Sequence, residues 1–133
     1  NTNITHNNGE PMRKPTSKDR INLRVYRVDG VIVCENIVGI VRYPVAIHRS
    51  ITEHEEIIAK QRKRHSANWH VTHIPTGKSF GIANNVFDNV VGYVGDIVDH
   101  PVLLMLTDDT MTSHPMYRDL NESHLQARKK WAV

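Results

Sequence analysis

The chain has 133 residues, of which 39% are hydrophobic, 23% charged and 6% aromatic, with 17 Lys and Arg against 14 Asp and Glu. That length predicts one globular domain at about 150 residues per domain, and no apolar run approaches the roughly 20 residues of a membrane-spanning helix. The N-terminal residues lack a signal-peptide core, and the single cysteine, Cys34, excludes an internal disulfide, so a cytoplasmic, reducing setting is expected.

Residues 1–20 are rich in Asn, Thr, Lys and Pro and read as a flexible basic arm. Residues 21–133 read as one α+β domain. Two alternating runs, 21–28 and 31–38, flank Asp29-Gly30, the signature of a two-residue hairpin turn. Pairing Val28 with Val31 sets Arg24 opposite Glu35 and Tyr26 opposite Val33. The core face then carries Ile21, Leu23, Val25, Ile32, Cys34 and Val38, which makes Cys34 a buried, inert thiol.

Gly39 breaks the run. Residues 43–48 contain Pro44 and predict an edge strand. Ser50-Ile-Thr-Glu53 is a capping box opening a helix over 51–65. Its acids lie early and its bases late, as the macrodipole favours. Strands follow at 69–74 and 79–83, joined through Pro75-Thr76-Gly77 as a second hairpin. Alternation puts Trp69, Val71 and His73 on one face and His70, Thr72 and Ile74 on the other.

Residues 84–99 predict the strongest helix, capped by Asn84 or Asn85. Val86, Phe87, Val90, Val91, Tyr93, Val94, Ile97 and Val98 fill one arc; Asp88, Gly92, Gly95, Asp96 and Asp99 fill the other. The run 102–106 is continuously apolar and predicts a buried central strand. A short helix near 120–131 ends the chain, with Trp131 in need of a packing site. The fold class is therefore α+β: a mostly antiparallel sheet built from two hairpins and further strands, with two main helices and a short C-terminal one.

Several constellations are candidates for chemistry. Thr76-Gly77-Lys78-Ser79 ends like a phosphate-binding loop, but the pattern requires Gly where Thr72 stands, and a hairpin turn is the wrong context. His70 and His73 are three apart on a strand and point to opposite faces, so no chelating pair, metal or cofactor is read. His48-Arg-Ser50 and His70-Val-Thr72 each resemble the His-x-Ser/Thr element of two-histidine phosphoesterases. That resemblance implies proton transfer by His48 and His70, with Ser50 and Thr72 orienting a phosphate. Lys60, Arg62, Lys63 and Arg64, with Lys78, Arg49 and Trp69 nearby, form a basic candidate surface for nucleic acid.

Charge is unevenly laid out: residues 1–78 carry a net +6, residues 79–117 carry −5 with no Lys or Arg, and residues 118–133 carry +2. The acid of the 84–99 helix lies beside two glycines, each costing about 1 kcal/mol relative to Ala on a solvated face. Asp88, Gly92, Gly95, Asp96 and Asp99 thus form a candidate groove for another chain, either a second copy in a homodimer or a foreign basic protein. The alternative occupant is the chain's own C-terminal helix.

The segment Trp69-His-Val-Thr-His-Ile-Pro-Thr-Gly77 resembles a hairpin of small uncharacterised bacteriophage proteins. The resemblance covers nine of the 133 residues. It implies a cytoplasmic accessory protein of an infected bacterium that binds and disables a host factor or defence complex, and it assigns no site residue. The expected function is a non-catalytic binding protein that modulates a host protein or protein–nucleic acid complex. A DNA- or RNA-binding module and a small histidine-dependent phosphodiester hydrolase are the alternatives.

Overall fold

The computed structural model describes residues 12–27, 30–49, 68–106 and 115–133. The expected 51–65 helix with its Ser50–Glu53 capping box, and the hairpin residues Val28 and Asp29, lie outside the described residues. Four strands form one antiparallel sheet in sequence order: β1 (Arg20–Arg27), β2 (Gly30–Arg42), β3 (Val45–His48) and β4 (His70–His73). Two helices follow, α1 (Phe87–Ile97) and α2 (Tyr117–Trp131), with a 3-10 helix at Pro101–Leu104 between them. The α+β class holds.

The hairpin register is shifted two residues from the expected one. Arg24 faces Val33 and Tyr26 faces Val31, while Arg27 pairs with Gly30. A slip of two leaves every side chain on its own face, so hydrophobic alternation cannot tell the two registers apart. A β-bulge then separates Leu23↔Cys34 from Ile21↔Ile37. Asn36 adopts a left-handed φ of 58° there, and Arg20 Nη1 and Asn22 Oδ1 bind its backbone at 2.8 and 3.2 Å. The extra residue turns Ile37, not Val38, into the core beside Leu23, Val25 and Ala46. Ile32 lies exposed beyond that cluster, and Cys34 is half-buried at its margin.

β2 is shared. Residues 30–38 pair with β1 and residues 39–42 with β3. At the changeover sits Gly39, where a Cβ would come within 2.8 Å of the Ile47 carbonyl oxygen and 2.9 Å of His48 Cβ. Tyr26 N–H donates to the Gly77 carbonyl at 2.8 Å, tying β1 back to the turn after β4. Gly77 has a φ of 74°, and a Cβ on it would lie 2.8 Å from the Arg24 carbonyl oxygen. Both its conformation and its close approach to β1 call for glycine.

β3 is an interior strand, not an edge one: it lies between β2 and β4 and all four of its residues are buried. Pro44, which suggested an edge, stands in the preceding turn, outside the ladder. Val45 and Ile47 pack with Trp69 and Val71 under Phe87, Val90, Tyr93, Val94 and Ile97 of α1. The expected strand at 79–83 reduces to two isolated bridges, Thr72↔Ser79 and Trp69↔Asn84. Gly81, with a φ of 75°, interrupts the ladder between them.

The expected central strand at 102–106 is instead the 3-10 helix and its exit. His100-Pro101 explains it: His100 Nδ1 accepts from Val102 N–H, and Pro101 occupies the first helical turn. Val102, Leu103 and Leu106 are buried with Leu120, while Leu104 and Met105 face out. Neither asparagine caps α1. Val86 holds the cap position without a side-chain bond, and Asn84 Oδ1 accepts from Val86 N–H at 2.8 Å. Within 12–20, Met12 packs on the main core, Pro15 is buried, and Arg13 grips Asp19 through two hydrogen bonds of 2.8 Å. That guanidinium holds the Asp19 carboxyl well below the usual carboxylate range.

Candidate functional site

The β3–β4 register brings His48 and His70 directly opposite each other, with rings stacked 5.9 Å apart. Thr72 joins them, its hydroxyl 2.7 Å from His48 Nε2, while His48 Nδ1 lies 2.7 Å from the Arg49 carbonyl oxygen. A carbonyl only accepts, so Nδ1 carries a hydrogen and Nε2 of the neutral ring accepts from Thr72. His48 is fully buried with both ring nitrogens engaged. It therefore offers no lone pair to a substrate proton. His70 Nε2 is buried without a hydrogen-bond partner. Ser50, the fourth residue of the hydrolase reading, lies outside the described residues, as do Lys60, Arg62, Lys63 and Arg64 of the basic cluster. Trp69 is buried under the Arg49 guanidinium, 3.8 Å from its ring centroid, so no base can stack on it. Among the described residues, no group of three His, Cys, Asp or Glu side chains is placed to hold a metal ion.

The acidic face of α1 is partly occupied from within. Trp131 of α2 lies flat on Gly92, where a Cβ would come within 2.4 Å of its ring carbons. Asp96 accepts from Trp131 Nε1–H at 2.8 Å and lies 3.5 Å from Lys130 Nζ. A carboxylate near a helix C-terminus is disfavoured by the macrodipole, and these two donors offset that. Asp88, Gly95 and Asp99 stay exposed.

His73 is used structurally. Its Nε2–H donates to the Leu103 carbonyl at 2.7 Å, and its Nδ1 accepts from the Thr76 hydroxyl at 2.8 Å. His124 of α2 accepts from the Tyr93 phenol through Nδ1. Burial raises the Tyr93 phenol and keeps it protonated. Burial lowers both histidines, with Arg128 adding to the effect on His124. The unfolded chain therefore takes up these protons first, near the ordinary value of about 6.5. Stability is full above that pH and declines as pH falls through it toward the folded values. The slope approaches about 1.4 kcal/mol per pH unit for each histidine. Urea midpoints should be lower at about pH 5.5 than at about pH 7.5, with a smaller difference in His124→Gln. A flat wild-type profile would contradict this.

Sequence reasoning missed two features. One is an exposed apolar strip on the outer face of the β1–β2 hairpin, where Tyr26, Val31 and Val33 are 50%, 42% and 64% exposed. Register puts them on one face with Arg24, and Lys78 Nζ lies 4.9 Å above the Tyr26 ring. The other is a cavity of about 300 Å³ between the 78–81 segment and α2. The signal for the strip was in the alternation, which already set Tyr26 and Val33 away from the core. The cavity draws on segments about forty residues apart: Lys78 and Ser79 belong to the incomplete phosphate-loop element at 76–79, and nothing in the sequence ties that element to α2.

The described residues define a class, an α+β domain whose antiparallel sheet packs against α1, with α2 packed on α1. Comparison of the chain with family models, with curated proteins and with solved structures finds no match. No helix among the described residues is long and apolar enough to cross a membrane.

Proposed function

We propose that this chain is a non-catalytic binding protein that takes a protein partner on the outer face of the β1–β2 hairpin. One observation carries the reading: Tyr26, Val31 and Val33 form an apolar strip on one face of a hairpin, open to solvent. Apolar side chains exposed together on a rigid element favour association. Aliphatic β-branched residues fit a protein surface better than a stack of bases, which asks for aromatic platforms. Arg24 and Lys78 beside the strip favour a partner whose contact is bordered by carboxylates. The burial of His48, with both of its ring nitrogens engaged, supports binding over hydrolysis. The resemblance of residues 69–77 supplies a setting, in which the partner is a host factor or defence complex of an infected bacterium.

The test uses Val33→Asp. Val33 is exposed on the outer face of the hairpin, so the melting temperature should hold. In affinity capture from bacterial lysate, a protein retained by the wild type should fall about tenfold or more with Val33→Asp. It should persist with Asp88→Lys. Retention by Val33→Asp, or no specific capture by the wild type, would overturn the reading. Loss with Asp88→Lys alone would move the interface to the acidic face of α1. Salt-dependent retention of single-stranded nucleic acid in place of protein would favour the nucleic-acid alternative.

A further inference from the structure

We infer that the cavity between the 78–81 segment and α2 is a binding site for a small phosphorylated molecule with an apolar or planar body. Lys78, Ser79, Asn121 and His124 supply its polar wall, and Phe80 and Leu120 its apolar one. No Asp or Glu lines it. At about 300 Å³ it sits at the lower end of small-ligand sites.

The polar groups of Lys78, Ser79, Asn121 and His124 can each donate. The Tyr93 phenol donates to His124 Nδ1, so the neutral imidazole carries its hydrogen on Nε2. Nε2 has no partner of its own among the described residues. Ser79 Oγ already accepts from Gly81 N–H at 2.9 Å, leaving its hydroxyl hydrogen to donate. Lys78, whose Nζ lies 4.9 Å over the Tyr26 ring, brings a point charge to the lining. Asn121 is exposed on α2 and adds an amide. These donor groups, one of them a cation and with no carboxylate among them, suit an anion, and their spread over two elements fits the three terminal oxygens of a phosphate ester better than the two coplanar oxygens of a carboxylate. Phe80, packed edge-on against His73 and Tyr93, gives a fixed apolar wall for the rest of the ligand.

This site is independent of the hairpin face except for Lys78, which touches both. The test therefore rests on Ser79→Ala and Asn121→Leu, two exposed positions whose substitution should leave folding intact. Phenyl phosphate is the probe, titrated into the full chain at low salt and followed by the imidazole proton signals of His124. Benzoate, phenol and inorganic phosphate are the comparison arms. Saturable shifts are expected with phenyl phosphate below about 1 mM. Benzoate and inorganic phosphate should each bind about tenfold more weakly, and phenol more weakly still. Ser79→Ala and Asn121→Leu should each weaken phenyl phosphate about fivefold or more. Val33→Asp should bind it normally, which separates failure here from failure of the hairpin interface. No saturable His124 shift up to about 10 mM would overturn the proposal. So would equal binding of phenol and phenyl phosphate, which marks an apolar cleft, or indifference to both substitutions, which places the probe elsewhere.

Discussion

Replacing His73 with alanine should cost about 3–5 kcal/mol in urea unfolding, the largest loss expected of any single histidine substitution. The ring is fully buried and works as a relay. Lys78 N–H donates to Thr76 Oγ1 at 3.2 Å, Thr76 donates to Nδ1, and Nε2–H donates to the Leu103 carbonyl. Three segments are joined through one side chain: β4, the turn that ties back to β1, and the 3-10 helix. Alanine leaves a void against Phe80 and strands a buried hydroxyl and a buried carbonyl, and those terms act in the same direction. Thr76→Val removes one link and keeps the volume, so about 1–2 kcal/mol is expected. Should His73→Ala cost less than about 1 kcal/mol, the relay would not be holding these segments together.

The same residue shows where sequence reasoning reaches and where it stops. Alternation placed His73 with Trp69 and Val71, and all three are buried. Its partner Leu103 could not be foreseen, because residues 102–106 read as a strand. Five consecutive apolar residues carry no period, so their conformation was decided by His100-Pro101, which starts a 3-10 turn. The hairpin shows a different limit. Its faces were legible and its register was not, since period-two patterning is blind to a slip of two. The bulge at Asn36 then exchanged Val38 for Ile37 in the core. The interior position of β3 is not legible in the sequence, because Pro44 reads as part of the strand while it belongs to the turn. In the candidate site, the two His-x-Ser/Thr elements were seen, and His48 and His70 do meet across paired strands. What composition cannot show is that one ring would be sealed in the core. The donors around the cavity come from a turn and a helix with no motif between them, and only the folded chain assembles them.

The two glycines of α1 should respond to substitution with opposite signs. The sequence justified them by close approach of another chain, and at Gly92 that chain is α2. Any Cβ there meets Trp131 ring carbons at 2.4 to 2.6 Å, while at Gly95 a Cβ meets nothing within 4 Å. Gly95→Ala should therefore stabilise by up to about 1 kcal/mol through helix propensity alone. Gly92→Leu gains the same propensity but must expel the indole, losing its packing and its bond to Asp96, for a net cost of about 2–4 kcal/mol. Trp131→Ala alone should cost about 2 kcal/mol, since the ring is only half-buried. With the indole gone, the leucine introduced by Gly92→Leu has room to lie across α2. The double variant should therefore be more stable than the sum of the singles by at least about 1 kcal/mol. Additive losses would mean that the clash is relieved elsewhere and that Trp131 does not set the α1–α2 contact. Destabilisation by Gly95→Ala comparable to Gly92→Leu would mean that Gly95, too, faces a covering chain.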